Sequence, residues 1–183
     1  MPYFKRIIGK KCYLSPFCID EIEKITEWSN DEAVYSTTLY AQKLVNVKYQ
    51  EELLKDKINS FSIIDLKTNN LLGNAGIFNI DHLNRNGEFG IIIGNKEFHG
   101  KGYGQEVTRL VLDYAFNVLN LNNIILTVFT YNIKGCQCYK KIGFKEIGRR
   151  RKSWFYGGEY HDEVYMDVLA DEFNKINETI FKT

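Results

Sequence analysis

Three glycines at alternate positions mark the stretch His99-Gly100-Lys101-Gly102-Tyr103-Gly104. An apolar run, Glu88-Phe89-Gly90-Ile91-Ile92-Ile93-Gly94, precedes it across Asn95–Phe98, and a helical pattern from about Gln105 to Leu119 follows. Strand, glycine turn and helix in that order aim backbone N–H groups and a positive helix end at one point, which suits a phosphate. Glycine is required because a Cβ would keep an anion away from the backbone. Gly102, not Ser or Thr, follows Gly100-Lys101, so the Walker pattern fails. Counted from Gly100 the last glycine of the dinucleotide fingerprint would fall on Gln105, so that pattern fails too. Proton chemistry has its own candidates. Glu88 opens the apolar run, but a carboxylate is a weak base unless burial raises its pKa. His82 and His161, each beside a turn, are rival bases. Tyr139 has a phenol that is protonated at neutral pH and can donate. Each has a plainer reading: a solvated strand-end charge, surface histidines, a packed tyrosine, and for the glycines a tight turn with no ligand.

The elements that position these residues follow from periodicity. Val107, Leu110, Val111, Tyr114, Ala115 and Val118 recur at helical spacing. The isoleucine run and the nearly continuous apolar stretch Asn123–Thr130 read as inner strands. Upstream, Lys10–Ser15 is a strand ended by Pro16, Asp20–Trp28 is a helix, and Asn30-Asp31 breaks it and caps a second short helix. Tyr35–Val47 has no period and reads as loop, followed by a helix from Lys48 to Ile58. Ser60–Leu66 and Leu71–Ile80 form a hairpin across Thr68-Asn69-Asn70, and Asp81–Gly87 is a polar turn. Asn132–Lys141 is a short helix. Phe144–Phe155 and Tyr160–Leu169 pair across Gly157-Gly158. From Ala170 the tail is a last helix or frays. The fold class is α+β with a mixed sheet.

The glycine turn resembles the pyrophosphate loop of the GNAT superfamily of N-acetyltransferases, Gln/Arg-x-x-Gly-x-Gly/Ala, with His99 at the Gln/Arg position and Gly102 and Gly104 at the glycines. A second signature of that superfamily is similar to Asn132-Ile133-Lys134-Gly135-Cys136-Gln137-Cys138-Tyr139-Lys140-Lys141-Ile142-Gly143-Phe144: an asparagine, then a tyrosine, a basic residue and Gly-Phe. The resemblance covers Ser60 to Leu169 and comes nearest to two branches, the ribosomal-protein N-terminal acetyltransferases and the spermidine acetyltransferases. It implies a GNAT-type sandwich, a mostly antiparallel sheet splayed at its centre with helices on both faces. Residues 1–59 would be acceptor-side helices, 60–169 the core sheet and acetyl-CoA site, and 170–183 a tail. Acetyl-CoA is the implied cosubstrate, and no metal is implied. His99, Gly100, Lys101, Gly102, Tyr103, Gly104 and Gln105 would hold its pyrophosphate. Main-chain groups of Ile91, Ile92 and Ile93 would hold the pantetheine arm, and Asn132 would bind from across the cleft. Tyr139 is the implied general acid and Glu88 the base. The expected reaction is direct transfer in a ternary complex to a primary amine, a peptide or protein N-terminus or a small amine, with a polyamine as the alternative. The acceptor would lie between the N-terminal helices, the Tyr35–Val47 loop and the Gly157-Gly158 hairpin. The acidic patch of the spermidine branch is replaced here by Leu39-Tyr40-Ala41-Gln42-Lys43. A non-catalytic acyl-CoA-binding domain is the reading from another class.

Composition sets outer bounds. A chain of 183 residues with 44% hydrophobic and 26% charged residues is an ordinary globular domain. With 24 basic and 23 acidic residues, the overall charge draws neither nucleic acid nor a membrane. No apolar run spans a bilayer, and Met1–Arg6 carries no signal-peptide core. Cys136-x-Cys138 has neither redox nor zinc spacing, and Cys12 and Cys18 lie far off. All four read as free thiols in a reducing cytoplasm, and nothing visible activates a cysteine for a covalent acetyl route. Arg149-Arg150-Arg151-Lys152 reads as a solvated strand face, with an acidic substrate or RNA as its functional alternatives. A second copy of the chain is a candidate partner, though the sequence does not fix the oligomeric state.

Overall fold

The computed structural model describes residues 3–54 and 59–181. An eight-stranded sheet is its centre. In chain order the strands are β1 (Ile7–Ile8), β2 (Cys12–Pro16), β3 (Ser60–Asp65), β4 (Leu71–Asp81), β5 (Asn86–Ile93), β6 (Asn123–Phe129), β7 (Lys145–Tyr156) and β8 (Glu159–Leu169), arranged β1-β2-β3-β4-β5-β6-β8-β7. The helices are α1 (Ile22–Ser29), α2 (Glu32–Tyr35), α3 (Val47–Leu54), α4 (Tyr103–Asn117), α5 (Ile133–Ile142) and α6 (Ala170–Ile176). Every strand pair is antiparallel except β5 and β6, which run parallel with α4 as their crossover. A mixed, mostly antiparallel sheet with helices on both faces is the expected architecture.

The two faces bury different clusters. Val107, Leu110, Val111 and Ala115 of α4 pack with Ile77, Phe89 and Ile124 of the sheet in the larger core. Burying side chains of this size is worth roughly 1.5–3 kcal/mol each. The other face carries Ile22, Ile25 and Trp28 of α1, Val34 of α2 and Leu54 of α3, with Ile92 of β5 packed against them. Successive β5 side chains thus alternate between the faces, as strand geometry requires.

Some boundaries differ from the sequence reading, each for a local reason. The main helix begins at Tyr103 and not Gln105, because Gly102 at φ +84° is its N-cap and the chain turns helical at once. Gly102 thus adopts the left-handed conformation that a side chain would resist. The Tyr35–Val47 loop holds a 3-10 turn, Leu39–Gln42, capped by Thr38 Oγ1, which accepts from Tyr40 N at 3.1 Å. The helix expected from Lys48 to Ile58 runs Val47–Leu54, and residues 55–58 lie outside the described residues. β1 was not expected; two residues are too few to show a period. Among the described residues no helix is long and apolar enough to cross a membrane.

Candidate active site

The sheet parts at its middle. β5 pairs with β6 only at Asn86–Asn123, Gly87–Ile124 and Glu88–Ile125. Beyond that point β5 stays on β4, with Ile91 opposite Ala75, Ile92 opposite Asn74 and Ile93 opposite Gly73. β6 stays on β8 as far as Phe129. The β6-facing edge of β5 from Phe89 to Ile93 is therefore left without ladder partners, where an extended amide-bearing chain could pair as a strand would. A cleft of about 360 Å³ occupies the opening.

The glycine turn sits just past β5. Gly100 (φ +71°) has open space where a Cβ would stand, so an anion can approach the backbone there. No side chain caps the first turn of α4, which leaves its leading N–H groups for a ligand. Side chains in and around the turn anchor it. Tyr103 donates from its hydroxyl to Asp65 Oδ1 at 2.7 Å, a bond that pushes the phenol up to about 12. His99 Nε2 lies 2.7 Å from the Ile93 carbonyl, so that nitrogen carries the proton and the ring braces the end of β5. Lys11 donates from Nζ to the Lys101 carbonyl at 2.6 Å, and Glu106 Oε1 accepts from Lys11 N at 2.7 Å. The turn is thus tied to β2 and β3. A second cleft beside Gly102 and Gln105 is lined by Lys10, Lys11 and Arg109, the charge that phosphate groups seek. An open glycine turn, an uncapped helix start, unpaired strand edge and nearby cations together fit the pyrophosphate, pantetheine and phosphate groups of a coenzyme A thioester.

Glu88 and Tyr139 line the same central cleft. Glu88 Oε2 accepts from Asn79 Nδ2 at 2.9 Å, which leaves its other oxygen for a ligand. Tyr139 is half-buried, edge-on to Phe89 at 6.3 Å and to Phe144 at 5.8 Å between ring centres. Burial raises its pKa above the usual phenol range, so it stays protonated and able to donate. Asn132 also lines the cleft, and its Oδ1 caps α5 by accepting from Gly135 N at 2.9 Å. Asn132 is thus at once a helix cap and a cleft residue.

The rival groups lie elsewhere. His82 is exposed on the β4–β5 turn, and His161 packs against Tyr131 with Nε2 3.1 Å from the Tyr156 carbonyl. Neither lines the cleft. Burial raises the thiol pKa of both Cys136 and Cys138, the opposite of activation. Arg149 pairs with Glu146 and Asp162, and Arg150 with Glu163, so half of the basic run is answered within its own hairpin. The Gly157-Gly158 turn does not line the cleft, although Gln42 Nε2 donates to the Phe155 carbonyl at 2.7 Å and joins the loop to that hairpin. Lys11 and Asn74 were missed from sequence. Lys11 reaches the glycine turn from 90 residues upstream, and no local spacing signals it. Among the described residues no group of three His, Cys, Asp or Glu side chains could hold a metal ion.

A splayed mixed sheet with an open glycine turn past the end of its parted strand defines an acyl-CoA-type transferase fold. The profile described as Acetyltransferase (GNAT) domain matches residues 11–145, and the chain belongs to that family. It is 33% identical over 111 residues to a spermidine N(1)-acetyltransferase of Vibrio cholerae, a match covering 61% of this chain and 64% of that one. YdaF of Bacillus subtilis, a protein with a provisional ribosomal N-acetyltransferase name, is 31% identical over 131 residues, covering 68% of this chain and 71% of that one. Among solved structures, the spermidine N-acetyltransferase of Vibrio cholerae in complex with CoA and spermine superposes with a TM-score of 0.80 at 27% identity, over 91% of this chain and 99% of that one. The sequence matches span less than two thirds of the curated spermidine enzymes, 64% of the Vibrio and 54% of an Escherichia coli protein.

Proposed function

We propose that the protein transfers the acetyl group of acetyl-CoA directly to a primary amine. The observation that carries this reading is that Glu88 and Tyr139 line one cleft at the point where β5 and β6 part. The turn from His99 to Gln105 and the free edge of Ile91–Ile93 hold the thioester. Glu88, directly or through water, takes the proton from the amine, since an ammonium has no lone pair. The amine nitrogen then forms its bond to the acetyl carbon as the carbon–sulfur bond breaks. Tyr139 gives its proton to the departing thiolate, and the surplus proton on the newly acylated nitrogen leaves to restore the phenol. Asn132 orients the thioester from the α5 side.

The relatives' names support a polyamine acceptor better than a peptide N-terminus, since spermidine acetyltransferases recur among both the curated proteins and the solved structures. A peptide or small-amine acceptor is supported by the provisional name of YdaF and by the scarcity of acid among the described residues lining the cleft. The test is a panel of amines scored by amine-dependent thiol release from acetyl-CoA. Release with at least one primary amine, with the acetylated amine identified by mass spectrometry, is the expected result. Tight acetyl-CoA binding with no release on any amine would favour a non-catalytic acyl-CoA-binding domain.

A further inference from the structure

We propose that the acceptor is a primary amine with a single ammonium, carried on an apolar or aromatic body that bears an O–H or N–H donor for Asn74. This deepens the amine-acetylation reading above and rests on it. Asn74, Phe78 and Glu88 line the central cleft from the sheet face that α1–α3 cover, since Asn74 and Ile92 are register partners and so are Phe78 and Glu88. Its walls include the rings of Tyr40, Tyr49, Phe78 and Phe129. Among the described residues lining it, Glu88 is the one carboxylate and Lys43 the one cation.

That charge pattern limits the acceptor. A charge brought out of water needs a partner. Glu88 can answer the ammonium that reacts. A polyamine would bring further ammonium groups into a wall of aromatic rings beside Lys43, whose Nζ already donates to Tyr49 OH at 3.0 Å. Asp31, near the start of α2, supplies no free charge, because Lys96 Nζ lies 2.7 Å from its carboxylate. Methylene or aromatic surface fits such a wall, whereas an extra ammonium finds there only ring faces, weaker partners than a carboxylate, and the like charge of Lys43.

Asn74 adds a second requirement. It is 6% exposed, it lines the cleft, and its Oδ1 has no hydrogen-bond partner among the described residues. A buried acceptor in that state is costly in the free protein. A donor on the bound molecule would satisfy it, and an acceptor without one would leave it orphaned. The discrimination this provides works against the wrong molecule as much as for the right one.

The test compares tyramine, phenethylamine and spermidine as acceptors under one set of conditions, read as kcat/KM from thiol release. Tyramine differs from phenethylamine by the hydroxyl alone. We expect tyramine to exceed both others by roughly tenfold or more, the usual effect of leaving a buried polar group unpaired. In Asn74→Leu the gap between tyramine and phenethylamine should close, while the variant melts no lower than the parent. In Lys43→Glu the rate with spermidine should rise relative to tyramine. A higher kcat/KM for spermidine than for either arylamine, or equal values for tyramine and phenethylamine in the wild type, would overturn the proposal and leave acetyl transfer standing; these wild-type ratios decide even if Asn74→Leu does not fold. Tight acetyl-CoA binding by calorimetry with no thiol release on any of the amines would remove both readings together.

Discussion

Glu88 on β5 faces Ile125 on β6, and beyond that pair the two parallel strands share no further ladder bond. The carboxylate proposed to take the proton thus stands at the fork itself, where an amine would meet a thioester laid along β5. Replacing it with the isosteric amide keeps the bond from Asn79 possible and removes the base. Glu88→Gln should lower kcat by about 10²-fold, within the usual range for a lost general base. Its pH–rate profile should also move to higher pH, because the amine must then lose its proton unaided. An unmoved profile would place the base at another residue.

The glycine turn makes a sharper prediction. Gly102 is at φ +84°, and a Cβ there would stand 3.0 Å from Lys11 Nζ. A valine at this point is strained and also blocks the backbone that a pyrophosphate must approach. Gly102→Val should abolish acetyl-CoA binding in calorimetry while circular dichroism still reports a folded protein. Unchanged affinity in a folded variant would move the phosphate site elsewhere.

Lys11 tests the same site from the opposite side of the chain. Its ammonium holds the Lys101 carbonyl and has donors to spare beside the turn. Lys11→Ala should weaken acetyl-CoA binding by roughly ten- to a hundredfold, the range for a hydrogen bond to a charged group. The difference from wild type should shrink as salt is raised, since an exposed charge is screened. Titrations at low and high salt check both statements, and an unchanged affinity at low salt would contradict them.

A stability prediction concerns Glu21, which is 6% exposed and accepts a hydrogen bond from Ser62 Oγ. Burial raises its pKa above the ordinary carboxylate value, with the Ser62 bond acting in the opposite direction. The folded state therefore holds the Glu21 proton more tightly than the unfolded state does. The resulting stability is fully present in acid, below the unfolded pKa, and is lost as pH rises through the raised folded value. Glu21→Gln keeps an oxygen for Ser62 and never charges. It should melt higher than wild type at neutral pH, and the gain should vanish in acid; each tenfold difference in proton affinity is worth about 1.4 kcal/mol. Thermal melts across that range decide it, and a gain that does not depend on pH would contradict the assignment.

Much of this arrangement was legible in the residues because its signals are local. The spacing of Val107, Leu110 and Val111 gives a helix, the alternate glycines give a tight turn into it, and Asn132 to Phe144 gives a capped short helix after an inner strand. What was not legible depends on register and on distant pairs. The position of Glu88 at the fork follows from where β5 and β6 part, β5 staying on β4 and β6 on β8, which no single stretch encodes. Lys11 and Asn74 take their importance from residues that only the assembled sheet brings near. His99 was expected to bind the cofactor from its place in the motif, yet its Nε2 is engaged by the Ile93 carbonyl. The aperiodic stretch around Thr37 to Lys43 showed no pattern because its residues line a cleft instead of packing one face against a core.

The central claim is that Tyr139 acts in the transfer itself and not in holding the thioester. Tyr139 lines the cleft, and its ring is wedged edge-on between Phe89 and Phe144. Phenylalanine preserves those ring contacts and deletes only the donor. The most direct measurement is therefore Tyr139→Phe, with kcat from thiol release and acetyl-CoA affinity from calorimetry taken on the same preparation. The account predicts a fall in kcat of roughly 10²-fold or more with affinity nearly unchanged. Wild-type turnover in that variant would make Tyr139 a packing residue and contradict the proposed mechanism.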